Sequence, residues 1–232
     1  MIMKKFKIGN IPAVLWGPEA DRLIIAVHGS LSSKTDDCIN VLAREAVSCG
    51  YQVLSFDLPS HGERSGEEAP CMPQNSTRDL HTVMEYARSL YSNISLFACS
   101  MGAYFSLLAY ADEDIEKALF LSPVVDMNRV IANIMSFCNV SEDDLKEAKI
   151  IETPMETLYW DYYSYVKAHP VSMWPHPTYI LRGEFDNISE TEYVRAFADR
   201  FGCHITQQPA GEHWFHTKEQ LDFLRNWLKE VL

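Results

Sequence analysis

The stretch Ile94-Ser95-Leu96-Phe97-Ala98-Cys99-Ser100-Met101-Gly102-Ala103-Tyr104-Phe105-Ser106-Leu107-Leu108 reads as a buried strand, a sharp turn carrying one serine, and an apolar helix. A serine hydroxyl attacks poorly unless a base sits beside it, so a fold that uses one must lift it clear of the backbone and aim it. A tight strand-turn-helix elbow does both. The positions two before and two after such a serine must be small, because strand and helix cross closely there. Ala98 and Gly102 meet that demand, which makes Ser100 a candidate nucleophile. Cys99 is the stronger nucleophile as a free side chain. At minus one, however, it still belongs to the strand end and should point away from a cleft, as a packed thiol.

Working outward, the strand signals are short and apolar: Leu23–Val27, Val53–Phe56, Ala118–Leu121 and Thr178–Leu181, with Ile205 marking a weaker one. Runs this apolar suit strands covered on both faces. Helical spacing separates them. Ile39, Leu42, Ala43, Ala46 and Val47 recur until Gly50; Leu80 to Leu90, Tyr193 to Phe201 and Leu221 to Val231 follow the same rule. Such alternation predicts an α/β fold with a mostly parallel sheet, right-handed crossovers and helices on both faces. Lys5–Leu15, turning at Gly9-Asn10, reads as a hairpin adding antiparallel strands at one edge.

One connection is too long for a plain crossover. Val124–Pro177 has no strand signal, and helices are expected over Asp126–Met135, Ser141–Lys149 (with Ser141 as N-cap) and Thr153–Lys167. We read residues 124–177 as a helical lid on a single domain spanning 1–232. Tyr159, Trp160, Tyr162, Tyr163 and Tyr165 are more aromatics than one buried stripe needs, so Tyr159 and Trp160, with Trp174 beyond, are candidate walls of a pocket.

Composition excludes several classes. At 232 residues and 47% hydrophobic, the chain can bury one large core. Its net charge of −12 repels phosphate backbones and anionic lipid, so nucleic acid is not expected as a partner. No apolar run reaches membrane-spanning length and no secretory leader is visible, which predicts a soluble, cytoplasmic protein with no membrane partner. The six cysteines form no Cys-x-x-Cys pair and no zinc-type spacing, so they read as reduced thiols and no metal is expected.

The remaining chemical pieces fall at the C-terminal ends of strands, where open α/β sheets build their sites. His28-Gly29-Ser30 ends the first strand, and its small-residue turn can present N–H groups to an oxyanion. Ser30 and Met101 N–H are the candidate oxyanion donors, with Leu31 as a neighbour able to take the first role and to meet substrate. His28 reads as a brace and His61 as a loop organiser, while His81, His169, His176, His204 and His216 read as structural or solvent-facing. Arg182-Gly183-Glu184-Phe185-Asp186 brings a carboxylate to the same edge, and Gly211-Glu212-His213 follows the last strand. Serine, acid and histidine thus appear in chain order as Ser100, Asp186 and His213, the acid holding the base in one tautomer. Asp126, just past Ala118–Leu121, is the rival acid, and Glu184 falls too early.

With these pieces in order, the chain resembles the α/β-hydrolase superfamily, in particular its lid-bearing esterase, lipase and serine-aminopeptidase-like members. The likeness rests on His28-Gly29, Asp57…His61-Gly62, the elbow at Ser100, Gly183-x-x-Asp186 and Gly211-x-His213. It departs from the family's Gly-x-Ser-x-Gly at Ala98. The resemblance implies a cofactor-free serine hydrolase with Ser100 as nucleophile, Asp186 as acid and His213 as base. The expected substrate is a small carboxylic ester with an apolar acyl group. Thioester or aminopeptidase-like amide hydrolysis would use the same residues, and a non-catalytic small-molecule binding protein on this scaffold is the alternative of another class.

Overall fold

The computed structural model describes residues 2–232. Its elements in chain order are β1 (Met3–Ile8), β2 (Ile11–Trp16), β3 (Arg22–Val27), α1 (Asp37–Ser48), β4 (Tyr51–Phe56), α2 (Pro73–Arg88), β5 (Asn93–Cys99), α3 (Met101–Ala109) and β6 (Ala118–Leu121). They continue as α4 (Met127–Phe137), α5 (Glu142–Ala148), β7 (Ile150–Ile151), β8 (Leu158–Tyr159), α6 (Trp160–Ala168), β9 (Thr178–Gly183), α7 (Thr191–Phe201), β10 (His204–Gln208) and α8 (Lys218–Val231).

Eight strands form one sheet in the order β1-β2-β4-β3-β5-β6-β9-β10. The β1–β2 hairpin turns at Gly9-Asn10 and joins β4 antiparallel; every pairing from β4 to β10 is parallel. Because side chains alternate across a strand, an apolar run in a parallel sheet feeds two cores at once. Leu23, Ile25 and Val27 enter one core with α2, α3 and α7, while Ile24 and Ala26 enter the other with α1 and α8. Leu96 and Ala98 go to the first and Phe97 and Cys99 to the second. Strand ends therefore converge: Val27 lies beside Phe56 and Ala98, Cys99 beside Leu121, and Leu121 beside Leu181.

The long connection from β6 to β9 carries α4, α5 and α6, with α6 packed on α4 and α2. Asp126 is not inside the first helix but caps it, accepting from Arg129 N–H at 3.0 Å. Ser141 and Asp144 form a reciprocal capping box on α5. The expected helix over Thr153–Lys167 shortens to Trp160–Ala168. Thr153 Oγ1 accepts from the N–H groups of Met155 and Glu156, at 3.2 and 3.1 Å, and Pro154 offers no N–H, so this segment closes a turn instead. That turn joins β7 to β8 antiparallel.

Candidate active site

Ser100 sits between β5 and α3 with φ 48° and ψ −119°, a strained backbone for a residue with a Cβ. Its N–H donates to Leu121 O at 3.0 Å and its carbonyl accepts from Val124 N–H at 3.1 Å, so the turn is clamped to the end of β6. Gly102 lets α3 cross β3: a Cβ there would meet His28 O at 2.3 Å. Ala98 is fully buried between Val27 and Phe120, and its methyl group is accommodated with the elbow intact. Cys99 points into the opposite core, where burial pushes its thiol well above the ordinary range.

Ser100 Oγ lies 2.7 Å from His213 Nε2, and His213 Nδ1 lies 2.8 Å from Asp186 Oδ1. The network fixes the tautomer: Nδ1–H donates to the carboxylate and Nε2 accepts the serine hydroxyl. The carboxylate is fully buried, and Oδ1 also accepts from Ile188 N–H at 3.0 Å and Ser189 N–H at 2.8 Å. Asp126, the rival, spends its oxygen on the α4 cap. Glu184 lies past β9 and accepts Ala210 N–H at 2.8 Å.

The acid and base loops are laced together. Phe185 N–H donates to Gly211 O at 2.7 Å and Glu184 N–H to Gln208 O at 3.0 Å. Gly183 permits this approach, since a Cβ would lie 2.3 Å from Gly211 O and 2.4 Å from Glu212 O. The glycines in these two motifs thus answer to each other.

The loop after β3 covers Ser100, with Gly29 packed on the serine Cβ. Among the described residues, neither Ser30 N–H, Leu31 N–H nor Met101 N–H has a protein acceptor, so each is free to donate. Leu31 holds φ 55° and is 95% exposed, an unusual conformation for a branched apolar residue beside a nucleophile. Phe185, Ile188 and Trp214, flanking Asp186 and His213, are also exposed. His28 braces this region: Nδ1–H donates to Gly29 O at 2.7 Å and Nε2 accepts Leu58 N–H at 3.0 Å. Burial pushes its pKa down to about 4, so it stays neutral.

The aromatic assignments divide. Trp174 is not a pocket wall: it is 2% exposed, packs 5.6 Å from Phe120 and donates Nε1–H to Thr178 Oγ1 at 2.7 Å, as a core residue under β9. Tyr159 and Trp160 are half-buried, and the Trp160 ring faces the Lys146 and Lys149 ammonium groups of the α5 side. Towards α3 stand Tyr162 and Tyr165 instead. Burial and then the nearby Tyr165 and Asp126 raise the Tyr104 hydroxyl, and Tyr104 lies one turn after Ser100. Burial likewise raises Tyr162, with Tyr104 contributing. This pairing of Tyr104 with α6 was not legible from spacing, because it needs the packing angle of the inserted helix.

Two buried cations lie near these loops, and the local sequence does not announce them. Lys34 is 4% exposed and pairs with the fully buried Asp57 and with Glu63 at 3.0 Å, anchoring the β3 and β4 loops to each other. Arg182, one residue before Gly183, is 1% exposed. Its signal is a lone charge directly after the apolar run Tyr179-Ile180-Leu181.

The profile of the family described as "Serine aminopeptidase, S33" matches residues 18–160, and the chain belongs to that family of α/β hydrolases. The match includes Ser100 and stops before Asp186 and His213. A search of curated proteins found no match. Solved structures resemble the whole chain. Est1E of Butyrivibrio proteoclasticus, with ferulic acid bound, has a TM-score of 0.80 at 20% identity, covering 98% of this chain and 97% of that one. Mouse alpha/beta hydrolase domain-containing protein 10 has 0.79 at 15%, covering 100% and 98%. A Pyrococcus furiosus esterase has 0.70 at 18%, covering 99% and 89%. The chain is an α/β hydrolase with esterases among its structural neighbours. Among the described residues no helix is long and apolar enough to cross a membrane.

Proposed function

We propose that the protein is a serine hydrolase cleaving small carboxylic esters with an apolar, short or aryl acyl group. One observation carries this reading: a strained, exposed-edge serine hydrogen-bonded to a histidine that a buried carboxylate orients, at 2.7 and 2.8 Å. His213 Nε2 takes the Ser100 proton as Oγ attacks the ester carbonyl, and Asp186 stabilises the imidazolium that forms. Met101 N–H and Ser30 N–H receive the oxyanion. His213 then returns the proton to the leaving alcohol, and water repeats the sequence to free the acid and restore Ser100. The apolar rim of Leu31, Phe185 and Trp214 and the partly buried Tyr162 and Tyr165 of α6 favour an uncharged acyl group, with the 124–177 segment acting as lid. The ferulic acid bound in Est1E is an aryl acid of that kind. A second reading, aminopeptidase-like amide hydrolysis, is favoured by the family's description and uses the same residues.

The test is a fluorophosphonate probe combined with chromogenic esters, thioesters and aminoacyl amides. We expect one label, lost in Ser100→Ala, with esters turned over fastest. Labelling that persists in Ser100→Ala and disappears in Cys99→Ala moves the nucleophile. A tightly held small molecule with no turnover of any panel member supports a binding protein instead.

A further inference from the structure

Burying a guanidinium without a carboxylate partner is costly, so a folded protein that does so needs an offsetting reason. Arg182 is in that position: among the described residues it forms no ion pair, and its Nε has no partner. Its neighbours are Gln207 Oε1, the cross-strand residue on β10, at 3.2 Å, then Ser189 O at 3.3 Å and Asp186 O at 3.5 Å, the last two sharing Nη2. One nitrogen therefore draws together both ends of the loop that carries the acid. The carboxylate completes the ring from inside by accepting from Ile188 and Ser189, while its Oδ2 is buried and unpartnered.

We propose that Arg182 is a positioning residue for the Asp186–His213 pair, holding the 186–189 loop by two carbonyls and setting a fixed positive charge behind the carboxylate. This rests on the reading of Ser100, His213 and Asp186 as a triad. The charged groups around it are few. Asp186 faces it from its own loop, with His213 beyond; Arg195 approaches from α7; β10 presents the neutral Gln207. The Glu190–Arg129 pair, 3.0 Å apart, ties the far end of the loop to α4 and is internally neutral. Removing the Arg182 charge leaves the anion less balanced, so His213 holds its proton to higher pH.

The experiment measures kcat, KM and the pH dependence of kcat/KM per fluorophosphonate-labelled site for the parent, Arg182→Gln and Arg182→Lys. We expect Arg182→Gln to keep KM within about twofold, to lower kcat at least tenfold, and to move the acid limb of the pH profile up by half a unit or more. Arg182→Lys should keep the limb at the parent's position, because the charge remains. It should still lose several-fold in kcat, because one ammonium cannot span both carbonyls as the guanidinium does. A glutamine variant with the parent's kcat and limb overturns the proposal. If that variant does not fold, the lysine variant decides alone: parental kcat per labelled site overturns it, and reduced kcat with an unmoved limb supports it. Failure of the parent to label or turn over would reject the triad reading itself, an outcome distinct from any of these.

Discussion

His28 shows how a single buried side chain makes folding stability depend on pH. Fully buried and bonded on both nitrogens, it is neutral in the folded chain, with its pKa lowered to about 4 from 6.5. In the unfolded chain it takes a proton near 6.5, so between pH 6.5 and 4 the unfolded state binds more protons and folding stability falls as pH falls. The full effect, present above pH 6.5, is of order 3 kcal/mol at 1.4 kcal/mol per unit. Urea unfolding at pH 7 and pH 5 should show this slope in the parent, and His28→Asn should flatten it. At the acid, Asp186→Asn should cut kcat by roughly three to four orders of magnitude through the wrong histidine tautomer. Asp126→Asn keeps an oxygen that can accept Arg129 N–H, so it should leave both stability and kcat near the parent's. The reverse ranking in steady-state assays would reassign the acid.

At the level of elements, the lid role proposed for the inserted helices is testable through substrate shape. Burial of methylenes against α6 contributes about 0.8 kcal/mol each, which predicts kcat/KM on p-nitrophenyl esters peaking at short to medium acyl length. Tyr162→Ala should flatten that profile while probe labelling of Ser100 continues. Trp174→Ala should leave the profile unchanged and cost roughly 3–5 kcal/mol, read by denaturant titration, because its ring is core. An unchanged profile in Tyr162→Ala means that α6 is packing alone. The contrast shows what spacing can and cannot carry. Strand runs such as Leu23–Val27 announce themselves because burial on both faces demands apolar residues throughout. The elbow at Ser100 is legible because its sterics restrict neighbours. Trp174 and Trp160 are not separable by spacing, since a tryptophan buried in a core and one half-buried at its edge share the same local pattern. Arg182 is not legible from its neighbours because its contacts lie on carbonyls four and seven residues onward.

Across the whole molecule, 32 acidic residues stand against 20 basic ones. Such a surplus slows approach of anions and is screened over about 8 Å at physiological salt. Turnover of an ester carrying a carboxylate should therefore rise with added salt, while a neutral ester of equal size should not respond. Equal salt responses from both would confine recognition to the immediate site. The sheet also draws its proposed chemistry from widely separated parts of the chain, with the nucleophile at 100 and the acid and base at 186 and 213.

The lacing of the acid loop to the base loop has a consequence for recombining this protein with its relatives. Phe185 is bonded to Gly211, Glu184 to Ala210, and Gly183 leaves no room for a side chain against that partner. A chimera whose crossover falls between residues 183 and 211 inherits two halves of one joint from different parents, whereas crossovers in the β6–β9 insertion exchange only inserted helices and leave the joint whole. The heritable module is the pair of loops.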